Sequence, residues 1–123
     1  MKKITLFLLT IFFISFLISC SGKREEVAQT DVYFFYMELC PSCEEYIMAE
    51  KLSEEITTLI KKNKAFNGEI LNIIHDDDAK KMKAILTEKN LAQISHVIPL
   101  LVVKDSYFVG YEEISAKVEE LIQ

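Results

Sequence analysis

Apolar residues fall along this chain in blocks with different periods. Ile4 to Ile18 is apolar apart from Thr5, Thr10 and Ser15, and it follows the cationic Met1-Lys2-Lys3. A positive start before an apolar run of this length predicts a secretory signal, too short to span a bilayer comfortably. Ser21 to Thr30 is polar and aperiodic, which predicts a tether. Val32-Tyr33-Phe34-Phe35-Tyr36-Met37 is a continuous aromatic and β-branched run, the pattern of a strand buried on both faces. From Pro41 to about Lys62, Tyr46, Ile47, Leu52, Ile56, Leu59 and Ile60 recur at helical spacing, and Pro41 suits a first helical turn. Asn67-Gly68 is a turn signal. Glu69 to Ile74 then predicts a second strand carrying Ile70, Leu71, Ile73 and Ile74.

Asp76-Asp77-Asp78 opens a predicted helix running to about Leu91, its carboxylates favoured by the positive end of the helix dipole. Capping of that kind accounts for the triplet better than a metal site does. Pro99 precedes a strand, Leu100-Leu101-Val102-Val103. Lys104-Asp105-Ser106 turns into Tyr107-Phe108-Val109, a hairpin. Gly110 breaks the strand, and Glu112 to Ile122 places Ile114, Val118, Leu121 and Ile122 on one helical face. The predicted order is β-α-β-α-β-β-α. A helix joins the first two strands, so they should be parallel with a right-handed crossover, while the last two are antiparallel. The expected fold class is α/β, a central mixed four-stranded sheet with helices on both faces.

Composition narrows the organisation. At 123 residues the chain is one domain in size, and three Gly, two Pro and 50% hydrophobic residues exclude a disordered or collagen-like chain. Ordinary signal cleavage wants small residues at the last and third-last positions, but Leu17 is large. Leu17-Ile18-Ser19-Cys20 resembles the lipobox of bacterial lipoproteins, which implies cleavage before Cys20 and a diacylglyceryl group on its sulfur. The other reading leaves Cys20 an incidental thiol. Residues 1–19 are thus expected as signal peptide, 20–30 as lipidated Cys and tether, and 31–123 as the folded domain. Losing the signal removes two of the fourteen basic residues and none of the nineteen acidic ones, leaving twelve against nineteen. So acidic a domain has little affinity for phosphate backbones or anionic lipid, which argues against nucleic-acid binding.

The chemical centre is Cys40-Pro41-Ser42-Cys43. Two thiols three positions apart at a helix start can close a small-ring disulfide. Backbone N–H groups and the helix dipole favour a thiolate over the free thiol, whose pKa is ~8.5. Only the thiolate attacks disulfides, and a second thiol then resolves the mixed disulfide. Cys40 is therefore expected as the exposed nucleophile and Cys43, one turn into the helix, as the buried resolving partner. Zinc sites and structural disulfides also use CxxC. A zinc site needs four ligands, however, which here would have to include His75 and His96. A bridge across two residues closes too short a loop to constrain the unfolded chain much.

Residues 31–123 resemble the thioredoxin superfamily: a buried strand, CPxC at a helix N-terminus, Ile98-Pro99 before a β-hairpin, then Gly110 and a last helix. Val97-Ile98-Pro99-Leu100-Leu101-Val102-Val103 is similar to the family's cis-proline loop and third strand. The resemblance implies that Pro99 is cis and faces the Cys pair, and that Ile98 offers its backbone to an extended substrate. Pro41, Ser42, Ile98 and Pro99 would form the substrate-binding surface, with His96 a possible proton shuttle. The departures are specific. Leu39 stands where thioredoxins place Trp, Pro41 stands where they place Gly, and no buried Asp equivalent occurs in Tyr33–Met37. Gly110-Tyr111 replaces the Gly-Gly pair with which glutaredoxins hold glutathione.

Function follows from that centre as an expectation. The leading one is an extracytoplasmic thiol–disulfide oxidoreductase, monomeric and lipid-anchored at Cys20 to a cell or outer membrane. It would act on protein thiols and disulfides and need no cofactor beyond the Cys40–Cys43 disulfide. Glu38, Glu44 and Glu45 flank the pair and oppose the helix dipole, which tilts the expectation toward reductant or isomerase over strong oxidant. Two alternatives stay open: a copper metallochaperone using Cys40, Cys43 and His96, and a non-catalytic lipid-anchored binding domain.

Overall fold

The computed structural model describes residues 27–123. The apolar run at Ile4–Ile18, the lipobox and Cys20 lie outside the described residues. Val27, Ala28 and Gln29 are exposed and lead without regular structure into the first strand.

The fold is α/β, with a mixed four-stranded sheet and three helices. In chain order these are β1 (Thr30–Tyr36), α1 (Glu44–Lys62), β2 (Phe66–Asn72), α2 (Asp76–Glu88), a short 3-10 turn (Ala92–Ile94), β3 (Leu100–Val103), β4 (Ser106–Val109) and α3 (Tyr111–Ile122). Strand order across the sheet is β2-β1-β3-β4. β1 and β2 run parallel, from Thr30 opposite Phe66 to Tyr36 opposite Asn72. β3 pairs antiparallel with β1 and with β4. The helix between β1 and β2 supplies the long connection a parallel pair needs.

Alternation along β1 divides the core, because successive side chains of a strand point opposite ways. Val32 and Phe34 pack with Leu101 and Val103, with Leu52 and Ile56 of α1, and with Ile114 and Val118 of α3. Phe35 packs with Leu71, Leu100 and Val102 and with Met82 and Leu86 of α2. Val32, Phe34, Phe35, Leu100, Leu101 and Val102 have no exposed surface. Each such side chain contributes roughly 1.5–3 kcal/mol on burial. The unbroken apolar run of β1 thus supplies two separate clusters.

Three boundaries differ from the sequence pattern. Helix α1 begins at Glu44, with Cys43 as an extended N-cap at φ −83° and ψ 148°. Pro41 and Ser42 form a turn ahead of it, closed by the Cys43 N–H donating to the Cys40 carbonyl at 3.1 Å. Strand β2 starts at Phe66 and incorporates Asn67-Gly68 instead of turning there. Gly68 pairs with Val32, and a Cβ at this glycine would run into the Val32 carbonyl, so close strand approach accounts for it. Helix α2 stops at Glu88, where Asn90 adopts φ 58° and the Leu91 N–H donates to the Leu86 carbonyl at 2.7 Å. Asn tolerates that left-handed conformation at a helix end better than most residues. No helix among the described residues is long and apolar enough to cross a membrane.

Candidate functional site

Strand β1 ends at Tyr36, and the next four residues carry the chain to Cys40 at the head of α1. Cys40 and Cys43 form a disulfide, their Cα atoms 5.4 Å apart. Both residues are partly exposed, so Cys43 is not the buried residue the sequence pattern leads one to expect. The reason is the helix boundary: Cys43 caps α1 and does not lie one turn inside it. Its carbonyl accepts from the Tyr46 N–H at 3.1 Å. Cys40 Sγ lies 3.5 Å from Ser42 Oγ, a sulfur–hydroxyl contact within the turn.

Opposite the turn, the loop before β3 brings up Ile98 and Pro99, joined by a cis peptide bond. Cys40, Cys43, Ile98 and Pro99 line one cleft of about 510 Å³ with His96. The remaining walls are Met37, Leu39, Glu45, Tyr46 and Tyr111. Two motifs far apart in the chain therefore meet. Pro41 and Ser42 are exposed on the turn and stand outside the cleft lining. His96 is exposed at the cleft wall. His75 does a different job: it is the N-cap of α2, and its carbonyl accepts from the Ala79 N–H at 3.0 Å.

Charge around the cleft is acidic and unevenly directed. Among the three flanking glutamates, Glu45 reaches the cleft, whereas Glu38 turns toward Asn72, whose Nδ2 donates to Glu38 Oε2 at 3.0 Å. Glu38 also holds the Tyr46 phenol above its ordinary value, by accepting its hydrogen bond and by opposing the phenolate's charge. Burial, and then the charge of Glu45, raise Tyr111. Tyr36 is raised by burial and then by the charge of Glu38. All three phenols stay protonated at neutral pH and can donate hydrogen bonds.

Sequence reasoning missed Tyr46, Tyr111 and Asn72. Tyr46 looked like core because it keeps the helical apolar spacing of α1. Asn72 did leave a signal, a polar residue interrupting Ile70-Leu71 and Ile73-Ile74. The Asp76–Asp78 triplet lies in the first turn of α2, and the Asp78 carboxylate accepts from the Asn72 N–H at 3.2 Å. No group of three His, Cys, Asp or Glu side chains able to hold a metal ion occurs among the described residues. No protein-family model, curated protein or solved structure matches the chain.

Proposed function

We propose that the protein is a thiol–disulfide oxidoreductase of thioredoxin-like architecture, tethered outside the cytoplasm through a lipid on Cys20. The observation that carries this reading is the Cys40–Cys43 pair at the head of α1, sharing one cleft with the cis Ile98–Pro99 bond. Its architecture has α1 and α3 on one face of the sheet and α2 on the other. The partition of the β1 side chains between two clusters supports that arrangement.

The chemistry needs only the two sulfurs and a substrate disulfide. In the reduced protein, the Cys40 thiolate attacks one substrate sulfur and the substrate S–S bond breaks. The other substrate sulfur leaves as a thiolate and takes a proton. Cys43, once deprotonated, attacks the Cys40 sulfur of the mixed disulfide and releases the second substrate thiol. The protein ends as the Cys40–Cys43 disulfide, two electrons having passed to the substrate, and a thiol reductant must restore it. The first turn of α1 supports the thiolate with its free N–H groups. Glu45 on the cleft wall opposes it, which favours a reductant or isomerase over a strong oxidant.

His96 stands at the cleft wall as a candidate proton shuttle. Ile98 would present its backbone to an extended protein segment, beside Pro99 and the exposed turn residues Pro41 and Ser42. Turnover in insulin reduction with dithiothreitol tests the proposal. The reduced domain should accelerate insulin precipitation, and Cys40→Ser should lower the rate to the uncatalysed background. A Cys40→Ser domain as active as the unaltered one would end the reading.

A further inference from the structure

The three residues between β1 and the disulfide turn, Met37 to Leu39, have left the sheet, so something other than a strand ladder must hold them. Beyond the last pair of the β1–β2 ladder, Tyr36 opposite Asn72, one backbone bond remains, from the Ile73 N–H to the Tyr36 carbonyl at 2.9 Å. From there a side chain takes over. Asn72, 9% exposed, is the buried polar residue among those described. Its Oδ1 accepts from the Glu38 N–H at 3.3 Å and from the Ile74 N–H at 3.3 Å. Its Nδ2 donates to Glu38 Oε2 at 3.0 Å. Two N–H donors on the oxygen and a carboxylate on the nitrogen fix which way the carboxamide faces.

A buried carboxamide costs stability unless its polar atoms find partners. Here every partner but one belongs to Glu38, which grips it at both backbone and side chain. Glu38 lies two residues before Cys40. We infer that Asn72 is a positioning residue for the redox turn, its carboxamide extending the sheet by one side chain and holding Glu38 so that Cys40 stays within closing distance of Cys43. The grip restricts the dithiol form, in which no S–S bond restrains the segment, and therefore favours ring closure.

The inference rests on the Cys pair being a redox centre. Its test is the equilibrium between dithiol and disulfide against dithiothreitol, which is measurable whether or not the domain turns over a protein substrate. In high salt, where charge at position 38 is screened, Asn72→Ala should shift the constant about threefold toward the dithiol. That is about 14 mV less negative. Glu38→Gln keeps an acceptor for Nδ2 and should keep the original constant. If Asn72→Ala fails to fold, Asn72→Asp preserves the acceptor for both N–H groups while setting like charges against each other. It should shift the constant the same way, and adding Glu38→Gln should restore it. A folded Asn72→Ala domain with an unchanged constant would overturn the inference, as would a Glu38→Gln shift as large. Loss of insulin turnover alone would count against the proposed function and leave this equilibrium untouched.

Discussion

Tyr46 joins the acidic network around Glu38 to the cysteine cleft, since its ring lines the cleft while its hydroxyl answers to Glu38. Its phenol ionises above the ordinary value of 10.0, chiefly because Glu38 accepts its hydrogen bond. A group whose folded value is raised stabilises the fold fully below its unfolded value and loses that contribution as pH climbs through the folded one. The Glu38–Tyr46 pairing should therefore be intact at neutral pH and fail only above about pH 10. Ultraviolet difference titration of the domain against Tyr46→Phe isolates this phenol. Glu38→Gln should bring its midpoint down toward the ordinary value, and an unmoved midpoint would remove Glu38 as the cause. At this scale the sequence pattern was selective. Cys40, Cys43 and Pro99 stood out because their chemistry is particular to their residue types. Tyr46 did not, and Asn72 left only a break in an apolar run, because both roles depend on where the fold places Glu38.

Elements were more legible than their ends. The apolar run of β1, the helical spacing of α1 and α3 and the hairpin of β3 and β4 are local periodicities, and burial reinforces each of them. Ends depend on single residues with two possible uses. Pro41 fits a first helical turn, yet it also fits the turn that precedes one, and the Cys43 N–H bond to Cys40 selects the second. Gly68 signals a turn in sequence and a close strand crossing in space. That crossing is testable. A methyl group at Gly68 would meet the Val32 carbonyl across the parallel β1–β2 pair, where backbone cannot yield cheaply. Gly68→Ala should destabilise the domain by about 3 kcal/mol or more. For a domain of this size, the thermal midpoint should fall by more than about 12 °C. A midpoint within a few degrees of the unaltered domain would mean that β1 and β2 can separate there without loss.

For the whole molecule, the proposed anchor and the charge of the domain make opposite demands on a membrane. With the proposed signal removed, acidic residues would outnumber basic ones by nineteen to twelve, and such a domain is repelled by anionic lipid. On the proposed reading, stable attachment comes from acyl chains, each buried CH₂ contributing about 0.8 kcal/mol, and two chains suffice where one gives only reversible binding. Salt and detergent separate these forces, because screening weakens charge and leaves acyl burial intact. The full chain expressed in a bacterium should sediment with membranes, stay there through a high-salt wash and come away in detergent. Exchanging residues 1–20 for a signal with small residues at its cleavage site, and no Cys after it, should move the domain to the soluble extracytoplasmic fraction with the Cys40–Cys43 disulfide still formed. Release of the original chain by salt, or an exchanged chain that remains on the membrane, would exclude the lipid. The thiol chemistry would then belong to a domain held by some other contact, because the disulfide and its facing proline lie within residues 31–123 and need nothing from the tether.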